Sequence, residues 1–305
     1  MKKYYLYIII AASLWGTIGI IVKTFYAAGF SPIQLVCFRT FIGGLLIFIY
    51  LITKDKSKLK IRLKDTWMFF GTGIISFAFF NVCYFIAVEK TGLSVASVLL
   101  YTAPGFVFIL SVIIFKEKIT KIKMMALCLA FFGCLLVSGV LQNADAALDL
   151  TGIMIGILAG FGYGLYSIFG KIALSRYDTL TVTFYTFVFG FLGAMPFAKI
   201  TEIPAMITSG EIALNIILLA VVITTFPFAL YTKGLSKVEP SRASILATIE
   251  PVVATIFGVI LFNEDLTFIK ILGIASVIGA AIIISLKPGT QTGGLNEYKI
   301  RQTDD

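Results

Sequence analysis

The 305-residue chain contains no histidine. A Ser-His-Asp triad and a histidine proton relay are excluded, and a zinc site loses its usual nitrogen ligand. Cysteine is nearly as scarce: Cys37, Cys83, Cys128 and Cys134 are the whole set, without metal-type spacing. All four fall in apolar stretches, where a thiol acts as a small apolar side chain. No metal and no cofactor are expected. Charge is also sparse, with Asp, Glu, Lys and Arg making up 13% of residues, where soluble domains carry about 25%. Hydrophobic residues reach 59% and the mean hydropathy is +0.99. These values exclude a soluble globular fold and leave an all-α integral membrane protein.

Crossing about 30 Å of hydrocarbon takes about 20 helical residues. Ten apolar stretches approach that length, near 4–23, 33–52, 66–88, 94–115, 122–141, 152–171, 180–198, 211–232, 241–262 and 268–286. A signal peptide is the rival reading of the first, because Lys2 and Lys3 precede its apolar core; it lacks a clear small-residue cleavage site and nine more candidates follow. With the N-terminus inside, 20 of the 25 basic residues collect in cytoplasmic segments, including the run Lys54, Lys56, Lys58, Lys60, Arg62 and Lys64. Both termini are therefore expected in the cytoplasm. The net charge of +9 then reflects orientation and contact with anionic lipid, not nucleic-acid binding.

The chain repeats itself. Shifted by 147 residues, Ser94–Lys123 falls on Ser241–Lys270 with 13 identities in 30, where composition would give only a few. Pro104 meets Pro251, Glu117 meets Glu264 and Tyr84 meets Tyr231; an offset of 148 places Gly16 on Gly164 and Lys23 on Lys171. Two five-span halves follow. Since five is odd, the second copy must enter the membrane upside down, giving ten helices in two inverted repeats. Charge agrees: the basic run 54–64 maps onto Thr201, Ile203, Ala205, Ile207, Ser209 and Glu211, so lysine and arginine vanish where the copy faces outward.

Leu14-Trp15-Gly16, Lys23, Ser31-Pro32 with Phe38-Arg39, and Ile249-Glu250-Pro251-Val252 followed by Phe262-Asn263-Glu264 carry a further signal. Over residues 4–286 the sequence resembles the EamA-type members of the drug/metabolite transporter superfamily. The resemblance implies two inverted five-helix repeats around a central cavity, alternating access, and usually export of amino acids or other small metabolites. It implies no single substrate.

Glu250 lies mid-span beside Pro251, about nine residues or ~13 Å from the start of its apolar run. Its repeat mate is Ala103. Hydrocarbon disfavours charge, so this carboxyl is a candidate for reversible protonation, and hence for coupling to protons, or for substrate contact. Holding the broken backbone around Pro251 is the structural alternative. Arg39 is the second ionisable group at depth. It is a candidate for pairing with a substrate carboxylate or a glutamate, although snorkelling to the outer interface is the simpler account. Trp15, Gln34, Asn81, Tyr84, Tyr101, Tyr163 and Tyr231 bring hydrogen-bonding groups into the bilayer and are candidates for the cavity wall. Pro104 and Pro251 read as paired kinks. Glu117 and Glu264 read as structural residues at helix ends, steadying the next helix through its dipole. Lys23 and Lys171 read as interface anchors at matching helix ends. Gly152, Gly156, Gly160 and Gly164 form a small-residue face that predicts close helix contact, within the chain or in a homodimer.

Residues 1–141 are thus expected to form the first repeat, 142–151 an extracytoplasmic linker, 152–286 the inverted second repeat and 287–305 a polar cytoplasmic tail. The best functional reading is a secondary transporter in the cell's inner membrane. Its partners would be the lipid bilayer, a small-molecule substrate and protons. A facilitator or uptake exchanger of another metabolite or organic cation is the nearer alternative. A membrane enzyme or scaffold is the distant one, since no nucleophile-base cluster is evident.

Overall fold

The computed structural model describes residues 1–142 and 149–286. Most of the expected linker and all of the expected tail lie outside the described residues. Within them the chain is helical and has no strand, as a bilayer demands of backbone that must satisfy its own hydrogen bonds.

Eight helical runs are long and apolar enough to cross a membrane. One, Leu63–Phe115, is 53 residues long and is two spans folded back at Gly92, whose φ of 80° suits only glycine without strain. The Tyr84 and Ser97 hydroxyls lie 3.1 Å apart; thirteen residues of straight helix would separate them by roughly 20 Å. With Lys121–Val137, a 17-residue helix just short of the usual span, the total among the described residues is ten. In chain order the others are Lys2–Ala27, Pro32–Lys54, Leu150–Ala173, Thr179–Phe197, Gly210–Leu235, Pro240–Phe262 and Phe268–Leu286.

Helix starts follow from sequence. Ser31 and Gln34 form a reciprocal capping box ahead of Pro32, while Asp149, Asp178, Thr120 and Ser209 each accept a backbone N–H from the first turn of their helices.

The two copies agree in detail. Spans three and eight contain π-helical turns at Gly71–Ala78 and Val221–Thr225, and these overlap at the 147 offset. Lys116 and Asn263 hold the matching left-handed position, with φ of 56° and 52°. Spans four and nine break just before their prolines, around Tyr101–Thr102 and at Thr248, because each proline removes the amide that would bond the carbonyl four residues back. Corresponding helices run in opposite senses. Span one starts at the end bearing Met1. Span six starts at the far end, where Asp149 pairs with Lys90.

The copies interlock. Span one packs on eight and nine, span six on three and four, two on seven, and five on ten. The glycine face of span six lies against Lys90, Thr91, Leu99 and Thr102, so its close contact is within the chain.

Candidate functional site

A cavity of about 350 Å³ lies between the repeats, within the roughly 300–1,000 Å³ usual for small-molecule sites. It starts mid-bundle at Trp15, Ser167, Tyr231 and Ser244 and extends to Tyr26, Pro32 and Leu93 at the end opposite Met1. Glu250, Arg39, Trp15, Asn81, Tyr84, Tyr101, Tyr163 and Tyr231 all stand on its wall, with Lys23 and Pro104. Gln34 does not. It is buried, and its side chain accepts the Ser31 N–H at 2.8 Å, a capping role visible in Ser-x-x-Gln.

Glu250 sits where the ninth span restarts. Its Oε2 accepts a hydrogen bond from the Tyr163 hydroxyl at 3.1 Å. Its backbone carbonyl lies against Gly16, where an added Cβ would come within 2.5 Å of that oxygen. In the other repeat a Cβ added at Gly164 would lie 3.2 Å from the Ala103 carbonyl oxygen. Both copies therefore use a glycine to admit a helix at the proline break, and only one places a carboxyl group there.

Arg39 does not snorkel to an interface. It is 9% exposed, its Nη2 donates to Asn81 Oδ1 at 3.2 Å and its guanidinium lies 5.1 Å from the centre of the Phe77 ring. The Asn81 amide donates to the Phe77 carbonyl at 2.7 Å, which turns its oxygen toward Arg39. An amide dipole and an aromatic face offset part of the cost of burying the cation, while Nε is left without a partner among the described residues.

Below the cavity, toward Met1, the bundle is sealed. Ser167 bonds Tyr231 at 2.7 Å and Tyr166 bonds Thr232. Beneath them Lys123 lies 2.7 Å from Glu117 and 3.0 Å from Glu239, with both lysine and Glu117 almost fully buried. The Ser241 hydroxyl donates to Glu117, and Arg242 donates to Glu239 at 2.6 Å and to the Ile284 carbonyl at 2.7 Å. Lys171 is buried as well, donating to the carbonyls of Leu235 and Val238 at 2.7 and 2.9 Å. This overturns the interface-anchor expectation for Lys171, because the end of span eight exposes carbonyls that a lysine can satisfy. Glu117 acts through ion pairing; the adjoining helix cap belongs to Thr120.

At the far end the equivalents are loose. Lys270 meets Glu264 at 3.1 Å with the glutamate half exposed, and Lys23 lies over the Phe262 ring at 3.3 Å.

Sequence reasoning missed Ser76, Phe77, Phe80 and Phe228, which also line the cavity. Their signal was faint, for a serine or phenylalanine in an apolar run has no periodicity that separates wall from lipid face.

A ten-span bundle of two inverted repeats around a central cavity defines a membrane transporter. The chain belongs to the EamA-like transporter family, which it matches twice, over residues 2–139 and 150–286. It is 30% identical to an uncharacterized transporter of Archaeoglobus fulgidus over 94% of this chain and all of that one. It is 25% identical to the uncharacterized inner membrane transporter YicL of Salmonella typhimurium, over 93% of this chain and 96% of the other. A crystal structure with 17% sequence identity superposes at a TM-score of 0.78, covering 94% of this chain and 97% of that one; it speaks to the fold.

Proposed function

We propose that the protein is a secondary transporter of the inner membrane that exports amino acids or related small polar metabolites by alternating access, coupled to protons through Glu250. One observation carries this. The cavity between the repeats contains Glu250 and Arg39, two ionisable groups that the duplication does not share, and it is sealed on one side only. The basic residues assign the sealed Met1 end to the cytoplasm. Access is then from outside, the state in which an exporter releases cargo and takes up a proton. Tyr163 occupies one carboxylate oxygen of Glu250. A proton and a substrate ammonium compete for the carboxylate, and that competition links their opposite movements.

The test is uptake of labelled amino acids into sealed vesicles containing the purified protein, with and without a pH gradient. Gradient-driven accumulation is expected with the natural chain. Glu250→Gln is expected to abolish accumulation while leaving downhill exchange. Concentrative uptake by Glu250→Gln with unchanged pH dependence would defeat the coupling role, and absence of any protein-dependent solute movement would defeat the transport cycle.

A further inference from the structure

Three buried donors on the cavity wall have no partner among the described residues: Arg39 Nε, the Ser76 hydroxyl and Trp15 Nε1. Arg39 and Trp15 are each 9% exposed and Ser76 is 1% exposed. Buried donors normally find acceptors, and a guanidinium edge left bare in apolar surroundings bears the largest desolvation cost. One aromatic floor joins them. Arg39 lies over Phe77, the residue after Ser76; Phe77 packs on Phe228 at 5.1 Å, and Phe228 on Trp15 at 5.0 Å.

The repeat separates frame from chemistry. At the offsets of 147 and 148, Tyr84 corresponds to Tyr231 and Trp15 to Tyr163, so the aromatic frame is duplicated. Arg39 corresponds to Thr186, Ser76 to Ile223 and Glu250 to Ala103. Thr186 is spent on Thr72 and the Val182 carbonyl. Polarity is therefore superimposed on a symmetric frame as two unlike poles. Glu250 with Tyr163 is acceptor-rich. At the other, Arg39 Nε and Trp15 Nε1 can only donate, and the Ser76 hydroxyl is free to donate as well.

We infer that Arg39 Nε anchors a carboxylate-binding subsite, on the wall that also presents the Ser76 hydroxyl and Trp15 Nε1 and separate from the Glu250–Tyr163 pole, that orients the substrate in the cavity. The inference rests on the transporter reading for the cavity's purpose, though not for the binding chemistry. A carboxylate oxygen accepts a charge-assisted hydrogen bond from the unpartnered Arg39 Nε, and its remaining lone pairs can take a neutral donor on the same wall. A phosphate dianion would bring excess negative charge into a cavity that already contains Glu250. Asn81 is a positioning residue: it takes Nη2 of Arg39 and leaves Nε free.

The experiment is thermal shift and equilibrium binding on the purified full-length protein, since a ligand that prefers the folded state raises its apparent stability. The probes are L-leucine and L-phenylalanine, their amides, their decarboxylated amines and inorganic phosphate. At least one free acid is expected to bind about tenfold or more tightly than its own amide and amine, the usual scale for losing a charged hydrogen-bonding partner. Arg39→Gln should bring acid and amide to within about twofold, and Ser76→Ala should give an intermediate loss. Arg39→Lys, which keeps a cation and loses the fork, should also lose most of the preference, so the outcome stands even if the glutamine variant misfolds. The subsite is overturned if no acid binds, if amides bind as well as acids, if acid preference survives Arg39→Gln or Arg39→Lys, or if phosphate is the better ligand. Vesicle transport without acid preference removes the subsite alone; acid preference without solute movement removes the transport reading alone.

Discussion

The two ends of the bundle contain the same local motif in opposite surroundings. Glu117 and Lys123 at the Met1 end match Glu264 and Lys270 at the other, down to the Thr120 and Thr267 side chains that accept the lysine N–H and the Ser111 and Gly258 carbonyls that accept the glutamate N–H. At one end the pair is buried and shared with Glu239 and Ser241. At the other Glu264 is half exposed. A motif present twice is architecture. Its unequal burial shows which end of the bundle is packed closed.

The largest effect that tests this contrast comes from the two lysines. Lys123→Met removes the cation shared by Glu117 and Glu239; Glu239 keeps Arg242, while the buried Glu117 carboxylate loses its ion pair, a loss of about 3–5 kcal/mol for a broken buried pair. Lys270→Met breaks a pair reached by solvent and should cost about 0–1 kcal/mol. Melting of the two purified variants gives the comparison, and equal losses would show that burial does not distinguish the ends.

A second contrast lies at the proline breaks. At Gly16 a methyl group would meet the Glu250 carbonyl at 2.5 Å and Val253 at 2.8 Å, while at Gly164 the nearest atoms are at 3.0 and 3.2 Å. Gly16→Ala should therefore cost about 1–3 kcal/mol by overpacking, and Gly164→Ala less. Gly16→Ala should also displace the backbone of Glu250, so its substrate affinity should fall where that of Gly164→Ala holds. Paired melting and binding measurements decide it.

Much of the fold was legible because a bilayer imposes a length on every span and the duplication supplied an internal control. Ten apolar stretches, paired prolines and exchanged charge led to inverted repeats without any site chemistry. The site was legible only where a residue broke a pattern: Glu250 and Arg39 stand out as charge in hydrocarbon, and both line the cavity. Ser76 and Phe228 break no pattern, since an apolar run looks alike from the lipid side and the cavity side. Lys171 misled because a lysine at a span's end ordinarily faces headgroups; its partners are carbonyls of residues 235 and 238, and no local signal reports a contact so distant in sequence. Gln34 was the reverse case, with a capping motif in plain view that outweighed its polarity.

The smallest effect separates Lys171 from its mate Lys23. Lys171 satisfies two buried carbonyls. Lys23 rests on Phe262 at the cavity mouth, a contact worth about 0.5–1 kcal/mol when exposed. Lys23→Met should thus shift the melting temperature little, and Lys171→Met much more. The repeat carries the comparison further. The counterparts of Leu235 and Val238 in the first copy are Val88 and Thr91, which lie just before the turn at Gly92. If access alternates by exchanging the roles of the repeats, closure of the mouth brings Lys23 to the carbonyls of Val88 and Thr91 as Lys171 leaves its own. Lys23→Met should then slow transport well beyond what its small effect on melting suggests. Transport at the natural rate in that variant would break the correspondence between the two ends.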